Sequence, residues 1–297
     1  MNIVVCIKQV PDTEVMLGMD RIRASIKNFR KENLPLVMNP YDLVAVEEAV
    51  RLKEKSGPSQ VTAVSIGPAS TQDALRHCLA MGADRGLLIC DESLEGSDSY
   101  ATATALAKLI VQFQGDLVLC GQKALDTECG QVGAVIARIL GIPMVSAVVG
   151  IEVCDDGKKL RVQRKLDRGA REIVEVSLPA LLTVEMGTTR PRPLQLRSVL
   201  AAKKKAIEEY DLKALGLSAN EVGAQGSKTK VLSVSPPKPR STQLFQPDPS
   251  LPAAQQLGLL MTGGVTQRER KLLIGEPENI AAELVGFLCE KGLLCTS

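Results

Sequence analysis

Between Leu117 and Gly133 the chain reads LVLCGQKALDTECGQVG, an apolar run that delivers Gly121, then a polar loop, then Gly130 and Gly133 around the start of a helical pattern. Small residues let an anion approach the backbone, and the first N–H groups of a helix supply donors and a favourable dipole. The backbone amides of Gln131, Val132 and Gly133 are therefore candidate phosphate ligands. Lys123 is long enough to reach a phosphate, whereas Asp126 and Glu128 repel one if they point inward. Those acids suit ribose hydroxyls, backbone amides or a partner. The loop matches neither the Walker pattern nor GxGxxG. Two readings stay open on residue chemistry, a phosphate cradle and a structural strand-to-helix turn.

Three further junctions, Ile7-Lys8-Gln9-Val10-Pro11, Met38-Asn39-Pro40-Tyr41 and Ser65-Ile66-Gly67-Pro68, are weak signals singly. In a parallel sheet they converge at the carboxyl ends of strands, where ligands bind. In Glu95–Thr104, the residues Ser97, Asp98, Ser99 and Thr102 offer helix caps or phosphate ligands, and a cap is the commoner role. Acid–base catalysis has little to work with. His77 is the single histidine, it lies inside a helical pattern beside Cys78, and no GxSxG context accompanies it.

Composition excludes several classes. A formal charge of +2 and 2% aromatic residues, with no Trp, leave neither an electrostatic nor a stacking case for nucleic acid. Lys203-Lys204-Lys205 is followed by Glu208-Glu209 and reads as the solvated face of an interface helix. The opening MNIVVCIKQV is too short and polar to span a membrane and lacks a signal-peptide layout. Eight cysteines without CxxC spacing point to structural thiols in a reducing compartment rather than to disulfides or a metal site. The expected location is cytoplasmic.

The elements that must hold these residues alternate. Strands are expected at Asn2–Ile7, Gln60–Ile66, Gly86–Cys90, Asp116–Cys120 and Met144–Val149, and helices at Tyr41–Lys55, Thr71–Met81, Ser99–Phe113 and Gln131–Leu140. This order implies an α/β fold with three layers, Rossmann-like, around a mostly parallel sheet. Gly150–Cys154, Leu160–Lys165 and Glu172–Ser177, with turn signals at Asp155-Asp156-Gly157 and Asp167-Arg168-Gly169, suggest a hairpin extension before a last apolar strand at Ala180–Glu185. A basic helix is expected from Leu196 to Tyr210. From Gly223 to about Gln256 the chain is rich in Ser, Pro, Gly, Lys and Gln and reads as an extended arm, and Ile280–Lys291 as a final amphipathic helix. The expected division is 1–200 for the nucleotide-binding domain and 201–297 for the basic helix, arm and terminal helix.

The stretches VVCIKQVPD, VMNPYDLVAVEEAVRLKE, SIGP, LAMGADRG, DLVLCGQKALDTECGQVG, VQRKLDRGAREIVEVSLPALLTVEMGTTRPRP and AAKKKAIE, in this order, closely resemble the beta subunit of electron transfer flavoprotein. The family's later signature is met by Val162, Arg164, Asp167, Gly169, Glu172, Pro179 and Thr183, while Arg168 stands where Gly or an acid is usual. The resemblance implies an adenine nucleotide alpha hydrolase-like fold and a heterodimer with an alpha subunit that carries an electron-transferring FAD. It also implies that the 201–297 region packs on that alpha subunit. In ordinary members the beta-subunit pocket holds structural AMP. In bifurcating members it holds a second FAD that accepts hydride from NADH and splits electrons between ferredoxin or flavodoxin and, through the alpha-subunit FAD, an acyl-CoA dehydrogenase-type flavoenzyme.

By the same resemblance, the cofactor site falls at Lys8, Asn39, Ser65, Gly67, Gly121, Asp126, Gln131, Val132 and Gly133, with Ser97 and Thr102 assisting. The Gly130-Gln131-Val132-Gly133 run and the Gly96-Ser97-Asp98-Ser99 approach resemble bifurcating members. Thr127, Cys129 and Gly130 depart from the residues usual there. The expectation is thus a bifurcating FAD with NAD(H) as substrate, and the alternative a conventional subunit with AMP. In the family's partner-recognition loop, here Glu185–Pro191, Thr188 stands where a Leu anchor is usual, which leaves Met186 as the apolar candidate. Bulky substitutions at Gly121 or Gly133 are expected to release nucleotide while leaving the chain largely folded.

Overall fold

Short β-branched runs form buried parallel strands when both of their faces are covered. In the computed structural model, which describes residues 1–12, 35–154, 157–233, 248, 250–261 and 275–290, the chain runs through β1 (Asn2–Cys6), β2 (Gln9–Pro11), β3 (Leu36–Met38), α1 (Pro40–Lys55), β4 (Gln60–Ile66), α2 (Gln72–Met81), β5 (Arg85–Ile89) and α3 (Ser99–Gln112). It continues through β6 (Leu117–Gly121), α4 (Val132–Leu140), β7 (Met144–Val153), β8 (Lys159–Lys165), β9 (Arg171–Ser177), β10 (Ala180–Val184), α5 (Leu196–Lys204) and β11 (Glu208–Tyr210). The period-2 geometry of β1 sends Ile3 and Val5 into one apolar cluster, with α1, α2 and α5, and Val4 and Cys6 into the other, with α3 and α4. Helices on both faces of one sheet give the three layers expected of an α/β Rossmann-like fold.

The main sheet has nine strands in the order β11-β5-β4-β1-β6-β10-β7-β8-β9. Pairing is parallel from β11 through to β7, and β7, β8 and β9 add an antiparallel extension. Parallel order gathers the residues after Cys6, Ile66, Ile89, Gly121 and Val184 on one edge.

Two expectations are corrected. Met144–Val149 and Gly150–Cys154 form one strand, β7, because a bulge joins them. Ala147 takes φ 54° where the register against β10 shifts, and its amide donates to Gln122 Oε1 at 2.8 Å. The helix expected from Leu196 to Tyr210 stops at Lys204. The Arg76 guanidinium meets the carbonyls of Ala202, Lys203 and Lys205 at its C-terminal end, and the chain then adds β11 beside β5. Arg85 forks Glu208 across that pair at 2.7 and 3.0 Å.

The chain divides into a unit from Met1 to Leu232, extending past the expected boundary at residue 200, and a second from Ser233 to Ser297. The second contains helices at Ala253–Met261 and Pro277–Glu290. The first of these lies partly within the stretch read as an extended arm. It exposes Leu257, Leu260 and Met261, and the other exposes Leu284, Val285 and Phe287. The remaining arm at 234–247, the Asp155-Asp156 turn and Lys291 lie outside the described residues. Among the described residues no helix is long and apolar enough to cross a membrane.

Candidate functional site

At the carboxyl edge the Gly121–Gly133 loop is held from below by the first turn of α1. Pro40 starts this helix, fixing φ where no N–H is needed. Asn39 sits at the N-cap yet does not cap its own helix. Its side chain, 1% exposed, donates to the Lys123 carbonyl at 2.9 Å and accepts the Leu125 amide at 3.3 Å. Asp42, three residues on and buried, accepts the amides of Lys8 at 2.7 Å and Gly121 at 3.0 Å. A primary cause, burial, pushes the Asp42 carboxyl up to about 7, opposed by the Lys8 amide, the Asn39 side chain, the Gly121 amide and the Lys8 charge.

Both glycines that define the loop serve packing directly. A Cβ on Gly121 would lie 2.2 Å from Asp42 Oδ1 and 2.7 Å from Tyr41 Cβ, and one on Gly133 would lie 2.8 Å from Thr183 Cγ2. The expectation that bulky residues at Gly121 or Gly133 leave the chain largely folded is therefore corrected. Gly121 makes room for Asp42, and Gly133 seats α4 on β10.

Above this base the loop is polar. Lys8 Nζ pairs with Asp126 at 2.6 Å, and Lys123 Nζ with Glu128 at 2.9 Å, all on the solvent side. Both acids thus have cationic partners and do not stand as bare repulsive charges. Behind them, α4 begins with Gln131 in the helical region and no side chain capping its first turn. Val135 donates the first backbone bond of the helix, to Gln131, so the preceding amides of Gln131, Val132, Gly133 and Ala134 face the edge as donors. This arrangement fits a phosphate, and Lys123, whose Cβ lies 3.8 Å from where a Cβ on Gly130 would stand, is the cation beside it.

The neighbouring helix start differs. Asp98 caps α3 by accepting from Tyr100 and Ala101, both at 2.9 Å, and also accepts the amides of Lys228 and Thr229, both at 2.8 Å. Partial burial pushes this carboxyl up, but the hydrogen bonds from Ala101, Thr229 and Lys228 outweigh it and hold it at about 2. Ser97 donates to the Leu94 carbonyl at 2.7 Å and accepts the Gly223 amide at 2.9 Å. Thr102 is half-buried one turn inside the helix. The Ser97–Thr102 approach is therefore a capped junction that anchors residues 223–229, with an ionised carboxylate where a phosphate would sit.

Ser65 and Gly67 are also engaged internally. The buried Ser65 hydroxyl donates to the Ile7 carbonyl at 2.9 Å, and the Gly67 amide donates to Ile89 at 3.1 Å. In the loop after β10, Thr188 donates to the carbonyls of Glu185 at 2.7 Å and Val148 at 3.1 Å, while the Met186 side chain is 46% exposed. The structure thus brings Lys8, Asn39, Gly121, Asp126 and the start of α4 together, and assigns Ser65, Ser97 and Thr188 to supporting bonds. Two shallow cavities, of 320 and 660 Å³, lie away from the Gly121–Gly133 loop, between α1 and the β7–β9 extension.

Sequence reasoning missed Asp42 and Gln122. An acid in the first turn of a helix is common enough to pass as a dipole partner, so Asp42 carried no distinctive signal. Gln122 accepts from the Ala147 amide and the Thr183 hydroxyl, a contact that only the β7 bulge creates.

Comparison with known proteins places the molecule. Residues 28–215 match the electron transfer flavoprotein domain. The chain is 42% identical over 247 residues to the electron transfer flavoprotein subunit beta of Thermoanaerobacterium thermosaccharolyticum, covering 82% of this chain and 92% of that one. It is 37% identical to protein FixA of Azotobacter vinelandii, covering 81% and 86%, and 36% identical to subunit CarD of the caffeyl-CoA reductase-Etf complex of Acetobacterium woodii, covering 80% and 88%. With a matching fold, the chain belongs to the electron transfer flavoprotein family as a beta subunit, and its general role is electron transfer.

Proposed function

We propose that the carboxyl edge binds the phosphate of an adenine nucleotide at the start of α4, as a conventional beta subunit binds AMP. The uncapped first turn at Gln131–Ala134 carries this reading, because α3 on the same face is closed by Asp98 while α4 is left open. Backbone amides of Gln131, Val132 and Gly133 receive the phosphate, and Lys8 and Lys123 balance its charge. Asp126 accepts from ribose hydroxyls, exchanging part of its contact with Lys8. Asn39 keeps the loop from opening.

Electron transfer itself is supplied by flavin when bound, held with an alpha subunit. The exposed apolar faces of the helices at Ala253–Met261 and Pro277–Glu290 suit docking on that subunit. Met186 offers the apolar anchor for an acyl-CoA dehydrogenase or related flavoenzyme, since the Thr188 hydroxyl is engaged by the carbonyls of Glu185 and Val148. A reducing, cytoplasmic setting suits the free buried thiols of Cys6, Cys78 and Cys120.

A second reading, a bifurcating FAD in place of AMP with NADH as donor and ferredoxin or flavodoxin as one acceptor, draws support from the Gly130-Gln131-Val132-Gly133 run. Its other support, the Gly96–Ser99 approach, is taken up by the Asp98 cap. Extraction of the heterodimer decides between them. A single FAD with AMP supports the first reading, a second FAD without AMP supports the other, and a heterodimer with no adenine nucleotide beside the alpha-subunit flavin sinks both.

A further inference from the structure

Beneath the loop, donors from three parts of the chain meet on one buried carboxyl. Asp42 Oδ2 accepts the Lys8 amide and Oδ1 accepts the Gly121 amide, with the Asn39 side chain beside it holding the carboxyl down against burial. Asn39 is itself bound to the Lys123 carbonyl and the Leu125 amide. The carboxyl therefore ties the end of β1, the end of β6 and the loop between β6 and α4 to the first turn of α1. An ionised carboxylate has only acceptor sites and takes every donor offered. A protonated one keeps its carbonyl acceptor but becomes a weaker acceptor at the oxygen that carries the proton, so the N–H on that oxygen is held less well and the new O–H needs an acceptor of its own. In a buried site an N–H left without an acceptor is costly, and the loop must shift to relieve it.

We propose that Asp42 is a positioning residue for the nucleotide site, gripping the Gly121–Gly133 loop when ionised and loosening it when protonated. This rests on the reading that a nucleotide occupies that loop. Its surroundings allow a change of state near neutrality. Burial pushes the carboxyl up to about 7 against the pull of its donors. Because the carboxyl stays buried on α1 when the loop loosens, loss of those donors raises it further, so ionisation favours the gripped loop. Lys8 faces it from the end of β1 and is itself shared with Asp126. Cys78 of α2 is raised by burial and by Asp42, and Cys120 of β6 by its bond with Cys6 and by burial, so both thiols stay neutral. Tyr41 of the same helix is raised by burial, with Glu185 and Lys123 beyond it, and is neutral too. Lys8 is thus the full charge that bears on Asp42 among these groups.

Two measurements on the full-length chain test the proposal at pH 6 and pH 8. AMP is the probe for retention, and amide hydrogen exchange of residues 121–133 in the ligand-free protein, corrected for intrinsic rates, reads the loop. In wild type, retention is expected to be roughly tenfold weaker at pH 6 than at pH 8, the factor for a group titrating midway, with loop protection falling in step. Asp42→Asn keeps the titration of the AMP phosphate itself and should show weak retention and low protection at both pH values. Equal wild-type protection at both pH values, or an Asn variant that matches wild type, overturns the role of Asp42 while leaving the site in place. If neither AMP nor FAD binds at either pH, the nucleotide reading falls instead, and the exchange profile of the ligand-free wild type still decides for or against Asp42. That profile also stands if the variant does not fold.

Discussion

Gly133 and Gly121 bind the loop to the rest of the protein through the space that they leave empty. For Gly133→Val, the added carbons meet Thr183, Leu181 and Cys120 on the β10 side of α4. Overpacking of this kind costs about 1–3 kcal/mol, and denaturant unfolding of the variant should show it alongside any loss of nucleotide. An unchanged midpoint would contradict the contact. Two carboxyls give opposite pH signatures in the same measurement. Asp98 is held below its ordinary 3.8, so its contribution is present above that value and is lost as pH falls through about 2. Asp42 is held above 3.8 by burial, so global unfolding, which exposes the carboxyl, is opposed by its proton, and stability against unfolding declines as pH rises from about 4 to about 7. Loosening of the loop, by contrast, removes only its donors and carries the opposite sign. Comparing Asp98→Asn with wild type from about pH 2 to about pH 4, and Asp42→Asn from about pH 4 to about pH 7, separates the two slopes. A variant that keeps the wild-type slope in its own window refutes the assignment.

The contrast between the starts of α3 and α4 gives a test at the level of elements. Gln131→Asp installs a residue type favoured at N-caps, which adds on the order of 1 kcal/mol to helix stability. The same carboxylate stands where phosphate is proposed to bind. Expected together are a higher melting temperature without ligand and a lower AMP occupancy, and a variant that binds AMP as well as wild type would remove α4 from the site. The turn after β10 offers a second test. Arg192 reaches back to α1, meeting Glu47 at 2.9 Å and Glu54 at 2.7 Å. The Glu47 side chain is 6% exposed, so Arg192→Ala strands a buried acid and should cost on the order of 2 kcal/mol. Recovery of part of this loss in an Arg192→Met, Glu47→Leu double variant would tie the cost to the abandoned charge.

The alternation of Gln60–Ile66, Gln72–Met81 and Ser99–Gln112 was readable because local period and burial agree there. The continuity of β7 is not legible, because Ala147 carries no sign, in its residue type, that it sits in a bulge. The helix end at Lys204 is hidden in the sequence because Glu208–Tyr210 becomes a strand through pairing with β5, a distant partner. At the site, Lys8, Asn39 and the Gly121–Gly133 loop were visible as turn chemistry, whereas the reason each matters came from Asp42 and Thr183, far away in sequence.

For the whole molecule, the units Met1–Leu232 and Ser233–Ser297 divide the work in the proposed reading. A chain ending at Leu232 should keep its fold and its AMP but lose association with the alpha subunit, as size-exclusion chromatography of the co-expressed pair would show. Full association after this truncation would refute a docking role for the last two helices. Met186→Glu should leave the heterodimer intact and weaken electron delivery to the partner flavoenzyme, read as a higher KM for the electron transfer flavoprotein in a coupled assay.

Asn39 bonds to the loop across sequence separations of 84 and 86 residues. Such distant contacts close late, after the loop entropy between them has been overcome. In the proposed reading the anion seat is therefore complete only once α1 has docked on β6 and Asn39 has met the loop. A nucleotide present during refolding would find nothing to hold until α1 has docked on β6, and would then act on the unfolding rate far more than on the folding rate.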